Sequence, residues 1–332
     1  MVKALRLLVC ASLLAWQGAQ ALVFSDGPWQ ALLDAGRSEE MERQAQARLR
    51  EQPQDLQAGA AFALSQMTLA DRKRVDAAAR QMQDCVDQHP EEALCHYALA
   101  SVMTMQARNG GAMKIISLAG PIRKHLQRAL ELRPDFIEAR SSLHQYYLLV
   151  PAFAGGGAGK ARELEEQVRA SQPEFAKLMR ARLAGSEKNW AQAEKELLSV
   201  RIAADPSLLN EWRLVWGAIG KEWLDQRQYA KAIAGFERLL KEQPRQALGA
   251  YGLARIYHAQ ERFDEAVKQY ERAKEMDGAE DFPLDHRLGI SLQAMGDKAG
   301  ARAAFERYLQ HRRASPSNVE DCRRRLKEMG PV

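Results

Sequence analysis

The sequence predicts an all-α solenoid of antiparallel helix pairs that ends in a capping helix. Four segments share one spacing, in which an alanine precedes a large apolar or aromatic residue by four positions. These pairs are Ala193/Leu197, Ala232/Phe236, Ala266/Tyr270 and Ala301/Phe305. The last three recur at intervals of 34 and 35 residues, which is typical of stacked two-helix repeats. A small residue lets two helices approach closely, and the large residue one turn later fills the groove between them.

The most regular unit resembles the tetratricopeptide repeat. Its first helix carries Trp216-x2-Ile219-Gly220-x2-Trp223, its second carries Ala232-x3-Phe236, and Pro244 closes it. The resemblance is carried by residues 213–315 and continues in a less regular form over 90–206. Over 38–90 the resemblance depends on helical spacing and on the prolines that separate the predicted helices. It implies a superhelix whose concave face, lined by the first helix of each pair, binds a peptide or a partner domain.

Prolines divide the chain into repeats, because proline starts a helix well and cannot continue one. Those that mark the ends of helix pairs are Pro53, Pro90, Pro134, Pro173, Pro206 and Pro244. We expect six to seven helix pairs. The predicted regions are divergent helical repeats over 22–89, irregular repeats with inter-helix loop insertions over 90–206, regular repeats over 207–315 and a charged capping helix over 316–332.

Two irregular repeats contain apolar, glycine-rich insertions. We expect "MKIISLAG" (113–120) and "PAFAGGG" (151–157) to be loops between the two helices of consecutive repeats, and therefore spatial neighbours on one edge of the solenoid. This surface, called the loop ridge, contains Met113, Ile115, Ile116, Leu118 and Phe153. Two interpretations stay open, since these side chains either pack on one another as a satellite cluster or form a partner-binding patch.

The stretch "GGGAGK" (155–160) is similar to a phosphate-binding loop but lacks two of its essential residues. The pattern G-x4-G-K-[ST] requires glycine at 154 and a hydroxyl at 161, where the chain has Ala154 and Ala161. That motif also follows a strand, whereas the preceding residues have helical spacing. We therefore predict a loop between helices and no nucleotide cofactor.

The first 21 residues have the three-part pattern of a secretory signal. Lys3 and Arg6 precede the apolar run "LLVCASLLAW", and Ala19-Gln20-Ala21 fits an A-x-A cleavage site. We expect cleavage after Ala21 and a periplasmic or secreted protein; the alternative is an uncleaved N-terminal anchor. Later runs are too short or too polar for a transmembrane helix.

Composition favours a folded core without a dedicated polyanion site. Hydrophobic residues make up 46% of the chain. Removing the signal removes two basic residues and no acid, so the formal net charge falls from +5 to +3. The basic runs "DRKR" (71–74) and "CRRRLK" (322–327) are typical of solvated helix faces, and no nucleic-acid partner is predicted.

Three cysteines remain after signal removal. Cys85 and Cys95 flank Pro90 on helices that we expect to be antiparallel, which favours a disulfide in an oxidising compartment; the alternative is two buried thiols. A metal site shared with His89 and His96 requires both histidines to point inward, which helical spacing does not favour, so no metal is predicted. Cys322 is left unpaired, either as a free thiol or as a link between two chains.

The sequence predicts a non-enzymatic interaction scaffold of the bacterial envelope. Protease, esterase and haem motifs are missing, and the histidines are scattered. The resemblance places Lys221, Tyr251, Arg255, His258 and His286 on the concave face of the regular repeats. The basic members favour an acidic or carboxylate-bearing partner of unknown identity. The alternative is a structural subunit that self-associates through its C-terminal repeats, as a homodimer for example.

Overall fold

The computed structural model describes residues 22–68, 71–202 and 208–330 of the 332-residue chain. The predicted signal peptide, residues 1–21, and Pro206 lie outside these residues. The described part contains seventeen α-helices and no β-strand. The helices are α1 (Gly27–Ala35), α2 (Ser38–Glu51), α3 (Leu56–Ser65), α4 (Arg72–Gln88), α5 (Ala93–Gly110), α6 (Ala112–Leu132), α7 (Ile137–Leu149), α8 (Ala158–Glu166), α9 (Pro173–Ser186), α10 (Trp190–Leu198), α11 (Leu209–Asp225), α12 (Tyr229–Glu242), α13 (Ala247–Ala259), α14 (Phe263–Lys274), α15 (Leu284–Ala294), α16 (Lys298–Gln310) and α17 (Pro316–Met329).

These helices form an all-α solenoid of eight antiparallel pairs, α1/α2 to α15/α16, followed by α17. In the described residues this is at least one pair more than the sequence predicts. The extra pair is α1/α2, whose residues lack the repeated alanine and aromatic spacing. Five of the six marker prolines lie at junctions between pairs; they are Pro53, Pro90, Pro134, Pro173 and Pro244.

One type of turn joins the two helices of several pairs. In each case a residue with positive φ follows the first helix, and the next backbone N–H bonds to a carbonyl five residues earlier. Lys188, Arg227, Glu261 and Gly296 occupy this position, with φ of 59°, 56°, 61° and 86°. The bond that follows each of them is 2.8 to 3.0 Å long. This arrangement satisfies carbonyls left unpaired at a helix C-terminus and reverses the chain direction. Gly36 makes the same turn between α1 and α2, with φ of 69°, which identifies that pair as structurally equivalent.

In two of the regular repeats, a glycine of the first helix lies in close contact with an aromatic ring of the second helix. A Cβ added at Gly220 would lie 2.3 Å from Cζ of Phe236, and one at Gly289 would lie 2.6 Å from Cε1 of Phe305. No side chain fits there without displacing the ring, so glycine sets the separation of the helices. The repeat alanines Ala232, Ala266 and Ala301 are fully buried, and close-packed helices fill the interior as the sequence predicts.

The structure corrects the loop prediction for residues 113–120. They lie in α6, which starts at Ala112 and continues through Pro121 to Leu132. Gly111, with φ of 76°, makes the only break between α5 and α6. Proline removes one hydrogen bond from α6, but Ala119, Ile122 and Leu126 bury the same helix against the core and keep it continuous. The insertion therefore lengthens two helices.

The second insertion is a loop. Pro151 to Gly157 connect α7 to α8 through a short 3-10 turn over Ala152–Ala154. A Cβ at Gly156 would lie 1.7 Å from the carbonyl oxygen of Val150, so the chain needs glycine at this close approach.

Helix α17 caps the solenoid. Cys322 is fully buried in a cluster with Ala301, Phe305 and Tyr308 of α16. Ser315 caps the N-terminus of α17 by accepting a hydrogen bond from the Asn318 amide. The last repeat therefore does not expose its apolar face. None of the described helices is long and apolar enough to cross a membrane.

Candidate binding surfaces

Three of the predicted groove residues lie on α11 and α13 and are at least partly accessible. Lys221 is exposed and pairs with Asp225 one turn later. The Tyr251 ring stacks on Phe282, with centroids 4.3 Å apart. The guanidinium of Arg255 lies 6.0 Å from the centre of the Tyr251 ring, a cation–π distance. Arg255 has no carboxylate partner in the described part of the chain.

The two histidines predicted for the groove are engaged within the chain. His258 is half-buried, and its Nδ1 lies 2.8 Å from the Ser291 hydroxyl. Burial lowers its pKa, and the neighbouring Arg287 and Arg325 lower it further. His286 does not line an open groove: it is only 4% exposed, and its Nε2 lies 2.8 Å from an Asp321 carboxylate oxygen on α17. The capping helix covers a position that the resemblance had placed on the surface.

Two further arginines bring positive charge to this face. Arg287 lies close enough to His258 and Tyr270 to affect their pKa, and its Nε has no hydrogen-bond partner among the described residues. Arg325 pairs with Asp321 at 2.8 Å. The sequence did not indicate either residue. Arg325 belongs to the run "CRRRLK", which contains three arginines. Which of them points toward the groove depends on how α17 packs on α15.

The N-terminal pair α1/α2 contacts α11 and the junction between α14 and α15. Arg37 pairs with Asp277 at 2.9 Å, and the Glu39 amide donates to Glu280 at 3.2 Å. Arg213 donates to the carbonyl of Asp34 at 2.8 Å. These contacts join residues that lie 179 to 241 positions apart, so the two ends of the solenoid meet.

Behind α1 the interior contains buried charge. Burial, together with the nearby carboxylates of Glu211 and Asp34, raises the pKa of Glu138 to about 8. Glu211 itself is held by Arg182 and accepts a 2.6 Å hydrogen bond from the Ser141 hydroxyl. These groups link α7, α9 and α11 across the inner face, which is consistent with a structural role for the network.

The loop-ridge residues separate into one packed and four exposed side chains. Leu118 packs against the main core. Met113, Ile115, Ile116 and Phe153 are between 46% and 87% exposed, as is the neighbouring Leu149. A satellite cluster shielded from water therefore does not form, and the partner-patch interpretation remains. The second insertion packs against α6, because Gly155 lies beside Arg123, which follows the first segment in the same helix.

The cysteines occupy two different environments. Cys85 and Cys95 form a disulfide in the structure, with Cα atoms 5.7 Å apart. Next to it, His96 contacts His125 through their Nδ1 atoms at 2.9 Å and the Pro90 carbonyl through Nε2 at 3.0 Å. Cys322 is a buried free thiol whose pKa is raised to about 11 by burial. Its burial opposes the predicted link between two chains, because disulfide formation requires an accessible thiolate.

The loop with Lys160 makes only local contacts. Its ammonium donates to the Gly155 carbonyl at 3.1 Å and lies 5.9 Å from the centre of the Tyr147 ring. Residues 150–160 follow a helix, α7, where a phosphate-binding loop follows a strand. Within the described ranges, no group of three or more His, Cys, Asp or Glu side chains is arranged to hold a metal ion.

Two family models, both described as tetratricopeptide repeat, match this chain, over residues 218–281 and 286–313. No curated protein matches the sequence. Similar solved structures include a tetratricopeptide repeat protein from Parabacteroides merdae ATCC 43184, with 15% identity and a TM-score of 0.47 over 80% of this chain and 96% of that one.

Two further solved structures are similar to this chain. A human IFIT1 dimer with PPP-AAAA has 17% identity and a TM-score of 0.50, covering 83% of this chain and 62% of that one. The APC/C hetero-tetramer Cut9-Hcn1 has 16% identity and a TM-score of 0.46, covering 92% of this chain. The present chain spans 55% of the length of that protein. At these identities the comparison concerns the fold alone.

Proposed function

We propose that this chain, a tetratricopeptide repeat protein, is a non-enzymatic interaction scaffold of the bacterial cell envelope that binds an acidic segment of a partner protein. The binding surface is the concave face of α11 and α13. One observation carries the proposal: Arg255 lies over the ring of Tyr251 without a carboxylate partner in the described residues. A half-exposed cation beside an aromatic ring fits a carboxylate-bearing peptide, which supplies the missing charge and an apolar contact.

The surrounding contacts support this location. Lys221 and Arg287 add positive charge on either side of Arg255 along the solenoid. Helices α1 and α2 cover a different part of the concave side through Arg37 and Asp34. A peptide therefore has a defined length of open surface, close to the two segments that match the family models.

Charge reversal tests the proposed surface. The variant Lys221→Glu/Arg255→Glu changes two concave cations, and Arg238→Glu/Arg272→Glu makes the same charge change on the outer helices α12 and α14. Each immobilised protein is exposed to envelope extract, and a captured partner is then purified and titrated by calorimetry. We expect at least about tenfold weaker binding for the concave variant and unchanged binding for the outer one. Equal binding by both variants would exclude this surface.

The envelope location is proposed from the secretory pattern of residues 1–21. Expression in a bacterial host, followed by fractionation and mass spectrometry of the N-terminus, tests it. We expect a periplasmic protein that begins at Leu22. A protein that keeps Met1 and stays with the cytoplasmic fraction would contradict the proposal.

Self-association through the C-terminal repeats is the second hypothesis from the sequence, and no structural observation favours it. Its predicted covalent route requires Cys322, which is buried against α16. Light scattering during size-exclusion chromatography, with and without reductant, distinguishes a monomer from a dimer.

A further inference from the structure

The helix pair α5/α6 is longer than the pairs of the regular repeats, and the start of α6 projects into solvent. These helices contain 18 and 21 residues, whereas α13 and α14 contain 13 and 12. At 1.5 Å per residue, the difference is about 7 to 13 Å. Residues 110–117 at the turn are all exposed, so the start of α6 is surrounded by solvent instead of packing on one side.

The end of this projection is apolar. Met113, Ile115 and Ile116 lie in its first two turns, and Leu149 and Phe153 lie where α7 ends and the next loop begins. Helix α6 starts and α7 ends on the same edge of the solenoid, and we call these five side chains together the apolar tip. Most of the chain's large exposed hydrophobic residues in the described ranges are here. Such a concentration is unusual for a surface that faces only water.

The tip lies in a region without acidic residues. The segment 93–130 contains five lysines and arginines and no acid, and the segment 139–162 contains three and no acid. Arg108 and Lys114 flank the tip, are exposed and have no ion pair among the described residues. Arg72 and Lys73, exposed in the first turn of α4, follow on the same edge.

Three acids lie nearby on neighbouring elements, and the first of them, Asp71, is exposed and caps the N-terminus of α4 beside Arg72. Asp76 of α4 accepts a 2.6 Å hydrogen bond from Gln106. Glu163 of α8 is exposed and lies close to Tyr147. The four exposed cations Arg72, Lys73, Arg108 and Lys114 outnumber these three acids, so the net charge around the tip is positive.

We propose that the apolar tip docks on the surface of an anionic phospholipid bilayer. Its apolar side chains enter the boundary between headgroups and acyl chains, while Arg108 and Lys114 contact lipid phosphates. The exposed first two turns of α6 extend about 10 Å, which is comparable to the 5 to 10 Å depth at which interfacial helices lie. A convex, apolar end with a ring of cations matches a deformable anionic surface. A protein partner would have to supply a groove for it. This inference is independent of the concave binding surface proposed above.

A fluorescent label at the tip tests the proposal directly. An environment-sensitive fluorophore is attached to Ile116→Cys in the full chain, and Asp135→Cys, exposed at the opposite end of α6, is the matched control. Labelling is selective because Cys322 is buried and Cys85 is bonded to Cys95. The label reports on the tip alone, so it distinguishes tip docking from attachment through residues 1–21.

With vesicles of phosphatidylethanolamine and phosphatidylglycerol, we expect a blue shift and at least about a twofold rise in emission at position 116. We expect no change at position 135 and a smaller response at high salt, which screens the cations. An unchanged emission spectrum at position 116 would overturn the proposal and would favour a protein partner for the tip. An equal response to phosphatidylcholine vesicles would overturn its electrostatic part.

A second comparison uses substitutions of the same size at two places. Met113→Ser/Ile116→Ser/Phe153→Ser removes the tip, and Leu198→Ser/Leu214→Ser/Met295→Ser removes three exposed apolar side chains elsewhere. With the label at Leu149→Cys, we expect the tip variant to need at least about tenfold more anionic lipid for half-maximal signal. The control variant should bind as the parent protein does. Equal lipid requirements for both variants would contradict the proposal.

Discussion

The guanidinium of Arg37, at the start of α2, lies 2.9 Å from the carboxylate of Asp277, 240 residues later in the chain. This pair closes the solenoid on itself. Two backbone hydrogen bonds fix the position of Asp277. Its amide donates to the carbonyl of Arg245, and its carbonyl accepts from the amide of Ala247, at the junction between α12 and α13. The N-terminal helix pair is therefore positioned by the C-terminal repeats as well as by α3, its neighbour in sequence.

The first prediction concerns this closure. Arg37→Asp places a carboxylate beside Asp277 and Glu40, so repulsion replaces attraction and the contact of α1/α2 weakens. We expect the amides of α1 to exchange with deuterium a few times faster, while those of α13 keep their rate. The swap Arg37→Asp/Asp277→Arg should restore the slower exchange. If the single variant leaves exchange in α1 unchanged, the ion pair does not hold the two ends together.

The second prediction concerns Cys85 and Cys95. In the exported chain unfolded without reductant, only Cys322 should react with a thiol reagent, and after reduction three thiols should react. The bond closes a loop of ten residues, so replacing both cysteines by serine should lower the free energy of unfolding by about 2 to 3 kcal/mol. Denaturant unfolding measures this difference. Three reactive thiols before reduction would contradict the disulfide.

The third prediction compares two glycines three positions apart on α11. Gly220→Ala forces a Cβ to within 2.3 Å of the Phe236 ring, so we expect a loss of about 1 to 3 kcal/mol in the free energy of unfolding. Gly217 has only one atom nearby, at 3.9 Å, so Gly217→Ala should raise stability by about 0.5 to 1 kcal/mol through its helix propensity. Urea unfolding of both variants checks the sign of each effect. Equal losses would mean that the contact with Phe236 does not set the helix separation.

The repeated part of the fold is predictable from sequence because its contacts are local and recur. Gly220 with Phe236 and Gly289 with Phe305 are sixteen residues apart in both cases, so a periodic pattern reports them. Contacts that occur once have no such pattern. The pairing of Arg37 with Asp277 depends on the curvature summed over all the intervening repeats, and no spacing in the sequence encodes that sum.

The candidate surfaces show the same distinction. Tyr251 and Arg255 occupy regular repeat positions, and the structure places the guanidinium of Arg255 over the ring of Tyr251. His286 occupies the equivalent position in the next repeat but is covered by α17, whose docking on α15 is a single event. The loop prediction for residues 113–120 is wrong. Gly110, Gly111 and Pro121 favour a loop locally, but burial of one face of α6 against the core makes these residues helical.

The last prediction concerns His144, which is fully buried on α7 and has no hydrogen-bond partner at either ring nitrogen among the described residues. Burial, with a smaller effect of the charge of Arg182, lowers its pKa from an ordinary value of 6.5 to about 3. The folded protein therefore keeps this imidazole neutral, while the unfolded chain takes up a proton as the pH falls below 6.5. Its contribution to stability is complete above pH 6.5 and is lost progressively between pH 6.5 and 3.

Replacing this side chain by an apolar one of similar volume should remove that loss. We expect the free energy of unfolding of His144→Leu to fall less than that of the parent protein between pH 7 and pH 5, by about 1 to 2 kcal/mol. Urea unfolding at the two pH values measures the difference, and other groups that titrate in this range cancel in the comparison. Parallel pH dependences would show that His144 is protonated in the folded state, and so is not isolated from solvent.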